Sequence, residues 1–374
     1  MKKTYISLLN VFLLLSCICL NAQTINTKPQ LVKAAPVLSL STITENTDNF
    51  IRAADISFLP LVESEGVTYK FNGVTQDALQ TLKNAGCNTI RIKLWKNPAT
   101  SSASFNEVKT FATRIKNAGL KVWLTVHYSD TWADPGHQTK PAEWQNLSFN
   151  NLKTAAVNYT SSILSEINPD IIQIGNETNQ GFLWPDGNLI SNENQSLQLF
   201  SAISTIIRNQ SPHTKIMLHY AGIGNGATWF FNKMNAISYD YIGLSYYPIW
   251  HGKNLTNVNT TITTLGSTFN KKVLIAETAY PFTLNWNDWT NNIVGQTDQL
   301  ITTYPATNIG QKNFVLAIKN LVKQNTHGLG FCYWGGEYIA FRGPQATNGS
   351  PWENQALWDF NNNALPVLEA FSIN

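Results

Sequence analysis

Charge is scarce in this chain. Of 374 residues only 13% are Asp, Glu, Lys or Arg, while 43% are hydrophobic. That balance excludes a disordered or heavily salt-bridged protein and leaves a large core under a surface of Asn, Thr, Ser and Gln. Cysteine is scarcer, at four residues, and Cys17 and Cys19 fall in an N-terminal apolar run. Only Cys87 and Cys332 remain, both in apolar stretches of strand character, so neither a disulfide framework nor a cysteine metal site is expected. Neither sign of charge dominates: 26 Lys and Arg face 23 Asp and Glu, and setting aside Lys2 and Lys3 leaves 24 basic residues. Nucleic acid is not an expected partner.

Long hydrophobic runs are also lacking, and no membrane span is expected. The run from about Tyr5 to Leu20 follows two lysines and leads to Asn21-Ala22-Gln23, the form of a bacterial export signal. Residues 1–22 are expected to be a signal peptide, giving a secreted, periplasmic or cell-surface protein. Leu14-Leu15-Ser16-Cys17 offers a lipoprotein alternative in which Cys17 is acylated and anchors the chain, although apolar Ile18, Cys19 and Leu20 weaken it. Residues 23–49 are rich in Thr, Ser, Asn and Pro without periodicity and read as a flexible tether. One domain is expected over residues 50–374, as a monomer, since no oligomerisation element is visible.

Within that domain, short apolar or β-branched runs recur with room for a helix between them: Ile51 to Ile56, Thr89 to Leu94, Lys121 to Val126 and Ile171 to Ile174. Lys215 to His219, Tyr241 to Ser245, Lys272 to Ala276 and Gly328 to Trp334 complete the series. Crossovers of that length suit parallel pairing, and eight such units predict an α/β fold of the (β/α)8 TIM-barrel type. The helices carry their own signals. Ser104 and Glu107 have capping-box spacing, Phe105, Val108, Ala112 and Ile115 share one face, and Gly119 follows the last turn. Leu82-Lys83-Asn84-Ala85-Gly86 and Ile115-Lys116-Asn117-Ala118-Gly119 echo each other just before a strand.

Barrels of this kind carry their chemistry at the carboxyl ends of the strands. Those positions hold Trp95, His127-Tyr128-Ser129-Asp130-Thr131-Trp132, Gly175-Asn176-Glu177, His219, Tyr246-Tyr247-Pro248 with Trp250, Glu277-Thr278-Ala279-Tyr280-Pro281 and Trp334. A single glutamate is most often a solvated loop residue. Two glutamates at equivalent ends of the fourth and seventh strands fit glycoside cleavage, which needs one protonated carboxyl for the leaving oxygen and one carboxylate for the oxocarbenium-like carbon. Glu177 is expected to be the acid/base, its pKa raised by the second carboxylate, with Asn176 holding the neighbouring sugar hydroxyl. Glu277 is then the nucleophile. Carboxyls about 5 to 5.5 Å apart would give retention of anomeric configuration.

The stretch His127-Tyr128-Ser129-Asp130-Thr131-Trp132-Ala133-Asp134-Pro135-Gly136-His137-Gln138 resembles the hallmark of glycoside hydrolase family 53, the arabinogalactan endo-β-1,4-galactanases. Gly175-Asn176-Glu177 with Leu183-Trp184-Pro185, Gly243-Leu244-Ser245-Tyr246-Tyr247-Pro248 with Trp250-His251-Gly252, and Glu277-Thr278-Ala279-Tyr280-Pro281 resemble it in the same order, from about Ala54 to Phe360. The resemblance implies retaining endo-cleavage of β-1,4-galactan, the side chain of pectin, with Glu177 as proton donor and Glu277 as nucleophile. Arg91 is placed to orient Glu277.

Around the two acids, His127 and His219 are candidates for substrate hydroxyls, against the alternative of hydrogen-bonded structural histidines. Trp95, Trp132, Trp250, Trp334 and Trp352 are candidate stacking platforms for the C–H face of a galactose ring, against ordinary packing of the barrel mouth. Tyr246 is a candidate donor to the nucleophile. Asp130 is a substrate-site candidate, although the Asp-Pro-Gly character of its loop also suits a purely structural role. No ligand pattern indicates a catalytic metal, and no cofactor is expected. Some bacterial relatives hold structural calcium in the loop after the seventh strand; here Leu284-Asn285-Trp286-Asn287-Asp288-Trp289 offers few carboxylates, so this loop does not support calcium and does not exclude it. Two alternatives stay open: another barrel glycosidase acting on mannan, cellulose or a different galactan, and a glycan-binding protein that has lost turnover.

Overall fold

The computed structural model describes residues 49–373. The expected signal peptide, Cys17 and nearly all of the tether lie outside the described residues. Eight strands close into a parallel barrel in chain order. They are β1 (Ile51–Asp55), β2 (Thr89–Leu94), β3 (Lys121–Val126), β4 (Ile171–Ile174), β5 (Lys215–Ala221), β6 (Tyr241–Ser245), β7 (Lys272–Thr278) and β8 (Gly328–Trp334). Helices cover the outside of the barrel because each strand sends alternate residues outward to an apolar helix face. In Phe105–Asn117, Val108, Phe111, Ala112 and Ile115 form that face, and the Ser104 hydroxyl caps the start by accepting from the Glu107 N–H. The position of an eighth long helix is taken by a 3-10 turn, Pro366–Phe371, packed against the helices Ala78–Ala85 and Asn308–Gln324. Gly86 makes this approach possible: it is left-handed at φ +103°, and a Cβ there would stand 2.4 Å from the carbonyl oxygen of Phe371.

The inward register of the strands builds the site. Ala53, Trp123, Ile171, Met217, Leu274, Ala276 and Cys332 form a separate apolar cluster, the dry floor of the barrel. Two residues further along the same strands stand Asp55, Thr125, Gln173, His219 and Trp334, so a period of two carries the interior from apolar to polar as it nears the mouth. On β7, strict alternation after Leu274 and Ala276 would give the next inward place to Thr278. The pairing shows an extra residue instead: Ile275 and Glu277 face Leu244 and Ser245 of β6, and Ile275 and Thr278 face Phe331 and Tyr333 of β8. This β-bulge turns Glu277 into the cleft. Cys87 and Cys332 are both buried and free. Among the described residues, no helix is long and apolar enough to cross a membrane.

Candidate active site

The mouth of the barrel opens into a cleft of about 290 Å³. Glu177 enters it from the turn after β4. Gly175 is left-handed at φ +75° and Glu177 at φ +48°. A side chain at 175 would meet the Thr178 methyl at 2.3 Å, so glycine is required there. A glutamate held in the left-handed region is strained backbone retained where a side chain must be aimed. Glu277 enters from the β7 bulge. One carboxylate oxygen of each glutamate and a ring nitrogen of His219 lie within 4.8 Å of one another.

The two carboxyls differ in their partners. Glu277 Oε1 is 2.8 Å from Arg91 Nη2, and its Oε2 accepts from the Tyr247 hydroxyl at 3.0 Å. Glu177 has only a hydroxyl: Ser245 donates to its Oε1 at 2.5 Å. Burial pushes the Glu177 carboxyl up to about 8, and the Glu277 charge pushes the same way, against Ser245 and Arg91. Burial raises Glu277 as well, opposed chiefly by Arg91. A direct guanidinium on one acid and none on the other puts the shared proton on Glu177. Burial and both carboxylates push Tyr247 well above its usual value, so it remains a donor.

Beneath the acids, one network fixes both. Arg91 Nη1 meets Asp55 at 2.7 Å, and its Nη2 also reaches Asn176 Oδ1 at 2.9 Å, so a single planar fork ties β1, β7 and the β4 turn together. Gln173, wholly buried, donates to the Gly175 carbonyl at 3.0 Å and to His219 Nδ1 at 2.9 Å. The Glu177 N–H also points at that nitrogen, so the ring proton sits on Nε2 and donates to Ser245 Oγ at 3.0 Å. The run Gln173, His219, Ser245, Glu177 is thus polarised toward the acid. Replacing Ser245 by Ala removes the donor that favours the carboxylate. We expect the alkaline limb of kcat/KM to move to higher pH, with activity roughly tenfold lower. A pH profile of the variant beside the parent checks this, and an unmoved limb would detach Ser245 from the titration.

Of the residues singled out in the sequence, Arg91, His127, Trp132, Asn176, Trp250, Trp334 and Trp352 line the cleft with the two glutamates. His127 is held neutral, its pKa well below the usual value through burial and the charges of Lys93 and Arg91. Its Nδ1 accepts from the Ala133 N–H, so the proton rests on Nε2. Asn176 commits one amide hydrogen to the Ala133 carbonyl and has a second to offer. Trp334 and Trp352 meet edge to face at 4.6 Å, with Trp132 beyond one and Trp250 beyond the other, a continuous aromatic wall.

Four candidates are placed elsewhere. Tyr246 is wholly buried and donates to the Gly252 carbonyl; the donor to Glu277 is its neighbour Tyr247, because adjacent residues leaving a strand point opposite ways. Asp130 is a loop clip whose two oxygens accept from the Asn97 and Ala142 N–H groups. His219 has no exposure and acts from beneath Glu177. Trp95 stands behind the cleft, its edge against Trp132 at 5.4 Å. Sequence reasoning passed over Gln173 and Ser245, each a polar residue at an inward position of an otherwise apolar strand.

The acid pair is not arranged as a metal site, since both nitrogens of His219 are already engaged and Arg91 faces Glu277. For calcium, the fold supplies a donor that the β7 loop alone does not. Asp288 lies beside Glu353 of the β8 loop, and Asp288 Oδ2 and Glu353 Oε2 are both buried without a hydrogen-bond partner. Burial pushes Glu353 up to about 7, against the Asn287 N–H and with the Asp288 charge. Hard oxygens of this kind fit calcium, which Asp288 and Glu353 would hold and which would tie the two loops together.

A (β/α)8 barrel with two carboxyls this close at the ends of β4 and β7, walled by aromatic rings, defines a glycoside hydrolase. The profile of glycosyl hydrolase family 53 matches residues 51–371, and the chain belongs to that family. It is 34% identical to an arabinogalactan endo-β-1,4-galactanase of Cellvibrio japonicus, over 88% of this chain and 92% of that one. It is 32% identical to an endo-β-1,4-galactanase of Bacillus subtilis, over 86% and 85%. Among solved structures, the family 53 catalytic domain of Ignisphaera aggregans superposes with a TM-score of 0.82 at 36% identity, covering 88% of this chain and 98% of that one.

Proposed function

We propose that the protein is a retaining endo-hydrolase of β-1,4-galactan, acting on arabinogalactan type I or pectic galactan and releasing galacto-oligosaccharides. The observation that carries the mechanism is the approach of the Glu177 and Glu277 oxygens to within 4.8 Å. An approach that close suits the carboxyl separation of about 5 to 5.5 Å of retaining enzymes better than the separation of about 6.5 to 9.5 Å that leaves an inverting enzyme room for its water. Glu177, holding its proton at neutral pH, gives it to the leaving glycosidic oxygen. Glu277, kept anionic by Arg91 and aimed by Tyr247, attacks the anomeric carbon and forms a glycosyl ester. Glu177, now a carboxylate, takes a proton from water as that water attacks the ester, and both acids return to their first state.

The galactan assignment rests on the named activity of the relatives, and the aromatic wall from Trp132 to Trp250 suits a neutral sugar chain. Linear β-1,4-galactan is expected to yield short galacto-oligosaccharides whose first-formed reducing ends are β, read by proton NMR. Arabinan, mannan and cellulose are expected to stay intact. Intact galactan beside well-folded protein would sink the substrate, and α reducing ends would sink retention. Export by residues 1–22, or anchoring through Cys17, belongs to the same reading and rests on the sequence of that segment; the mass of the mature chain distinguishes the two.

A further inference from the structure

Lys93 is a charged group in the cleft that the reaction above does not use. It projects inward from β2, two residues beyond Arg91, and its side chain borders the cleft although only 3% exposed, with Nζ itself covered. Its Nζ lies 3.2 Å from the centre of the Phe58 ring and about 5 Å from the rings of Trp95 and Trp132. Three aromatic faces hold the ammonium and strip its water, yet Nζ has no hydrogen-bond partner. No carboxylate of the described residues lies within ion-pair distance of it. Asp55 and Glu337 act on it only from further off, and burial lowers its pKa to about 8. A buried ammonium with three uncommitted N–H groups is costly and is retained where something fills its donors.

We propose that Lys93 is a substrate-binding residue, whose ammonium, uncovered when the partly exposed Trp132 ring shifts, donates to hydroxyl oxygens of a galactosyl unit lying against the Phe58 and Trp132 side of the cleft. The inference rests on the galactan reading for the identity of the sugar alone. A neutral hydroxyl is the fitting acceptor, since Asp55, Asp134 and Glu277 line the same cleft and would repel a uronate. The tryptophan faces take the C–H side of the sugar and the ammonium takes its hydroxyl edge, the division of labour that sugar sites require.

The test is calorimetric titration of galactotetraose, mannotetraose and cellotetraose into Glu277→Gln protein, with Lys93 intact or changed to Met or Arg. Lys93→Met is expected to weaken the bound oligosaccharide roughly tenfold to a hundredfold, and Lys93→Arg to recover part of that loss. Which oligosaccharide binds tests the galactan reading; the ratio of affinities with and without Lys93→Met, taken on whichever binds, tests this one. Equal affinities would overturn it, as would a loss of affinity that simply follows a fall in melting temperature. In the protein with Lys93 intact, saturation with the oligosaccharide is also expected to shift the 15Nζ resonance of Lys93. An unmoved resonance would overturn the proposal however the Lys93→Met variant folds.

Discussion

Glu277→Gln is expected to lower kcat/KM on β-1,4-galactan by roughly 10⁴-fold or more, with little change in melting temperature. The amide keeps the shape of the side chain and can still accept from Arg91, so the network under the site survives. It cannot form the glycosyl ester, and no neighbouring carboxyl can replace it: Asp55 is occupied by Arg91 and Ser57. The role is assigned by rescue. With Glu277→Ala and azide, the external anion takes the place of the carboxylate, and the product should be the α-galactosyl azide, formed by one displacement. A variant that keeps near-native turnover, or one that gives β-azide, would take the nucleophile's role from Glu277.

Glu177→Gln should cost about 10² to 10⁴-fold on galactan, the range of general acid–base catalysis. It should cost far less on aryl galactosides whose leaving groups need no proton. Here azide on the Ala variant should give the β product, because it attacks the glycosyl ester that Glu277 still forms. The pH profile carries the same assignment. A carboxyl pushed up to about 8 holds its proton below that pH and is competent as an acid. Activity of the parent should therefore fall as pH rises through about 8, and the fall should vanish in Glu177→Gln. An alkaline limb that persists in the variant would belong to another group.

Much of the barrel was legible because its signals are local. The bounds of β2, β3, β4, β6 and β8 agree with their apolar runs, and β5 and β7 run on by two residues because pairing continues past the point where the sequence turns polar. The Asn72-Gly73 turn of the small hairpin Lys70–Phe71 and Val74–Thr75, with both residues left-handed, carried a readable signal that was not used. What stayed illegible was direction. Nothing in Tyr246-Tyr247 says which ring faces Glu277, since a bulge one strand away sets the register. Asp130 and His219 are polar like the true cleft residues, and their side chains are taken up by the loop backbone and by the layer under Glu177. Asp288 and Glu353 lie too far apart in sequence for any linear motif to join them.

The extra residue at Ala276 fixes more than the aim of one side chain. It makes the gap between the two acids a matter of counting: a substitution changes what stands at 277, while only an insertion or a deletion changes where 277 stands, in steps of about 3.3 Å. Inverting hydrolysis that keeps both carboxylates, unlike the external-anion route opened by Glu277→Ala, therefore calls for a wider gap, and the search for it belongs among length variants of β7.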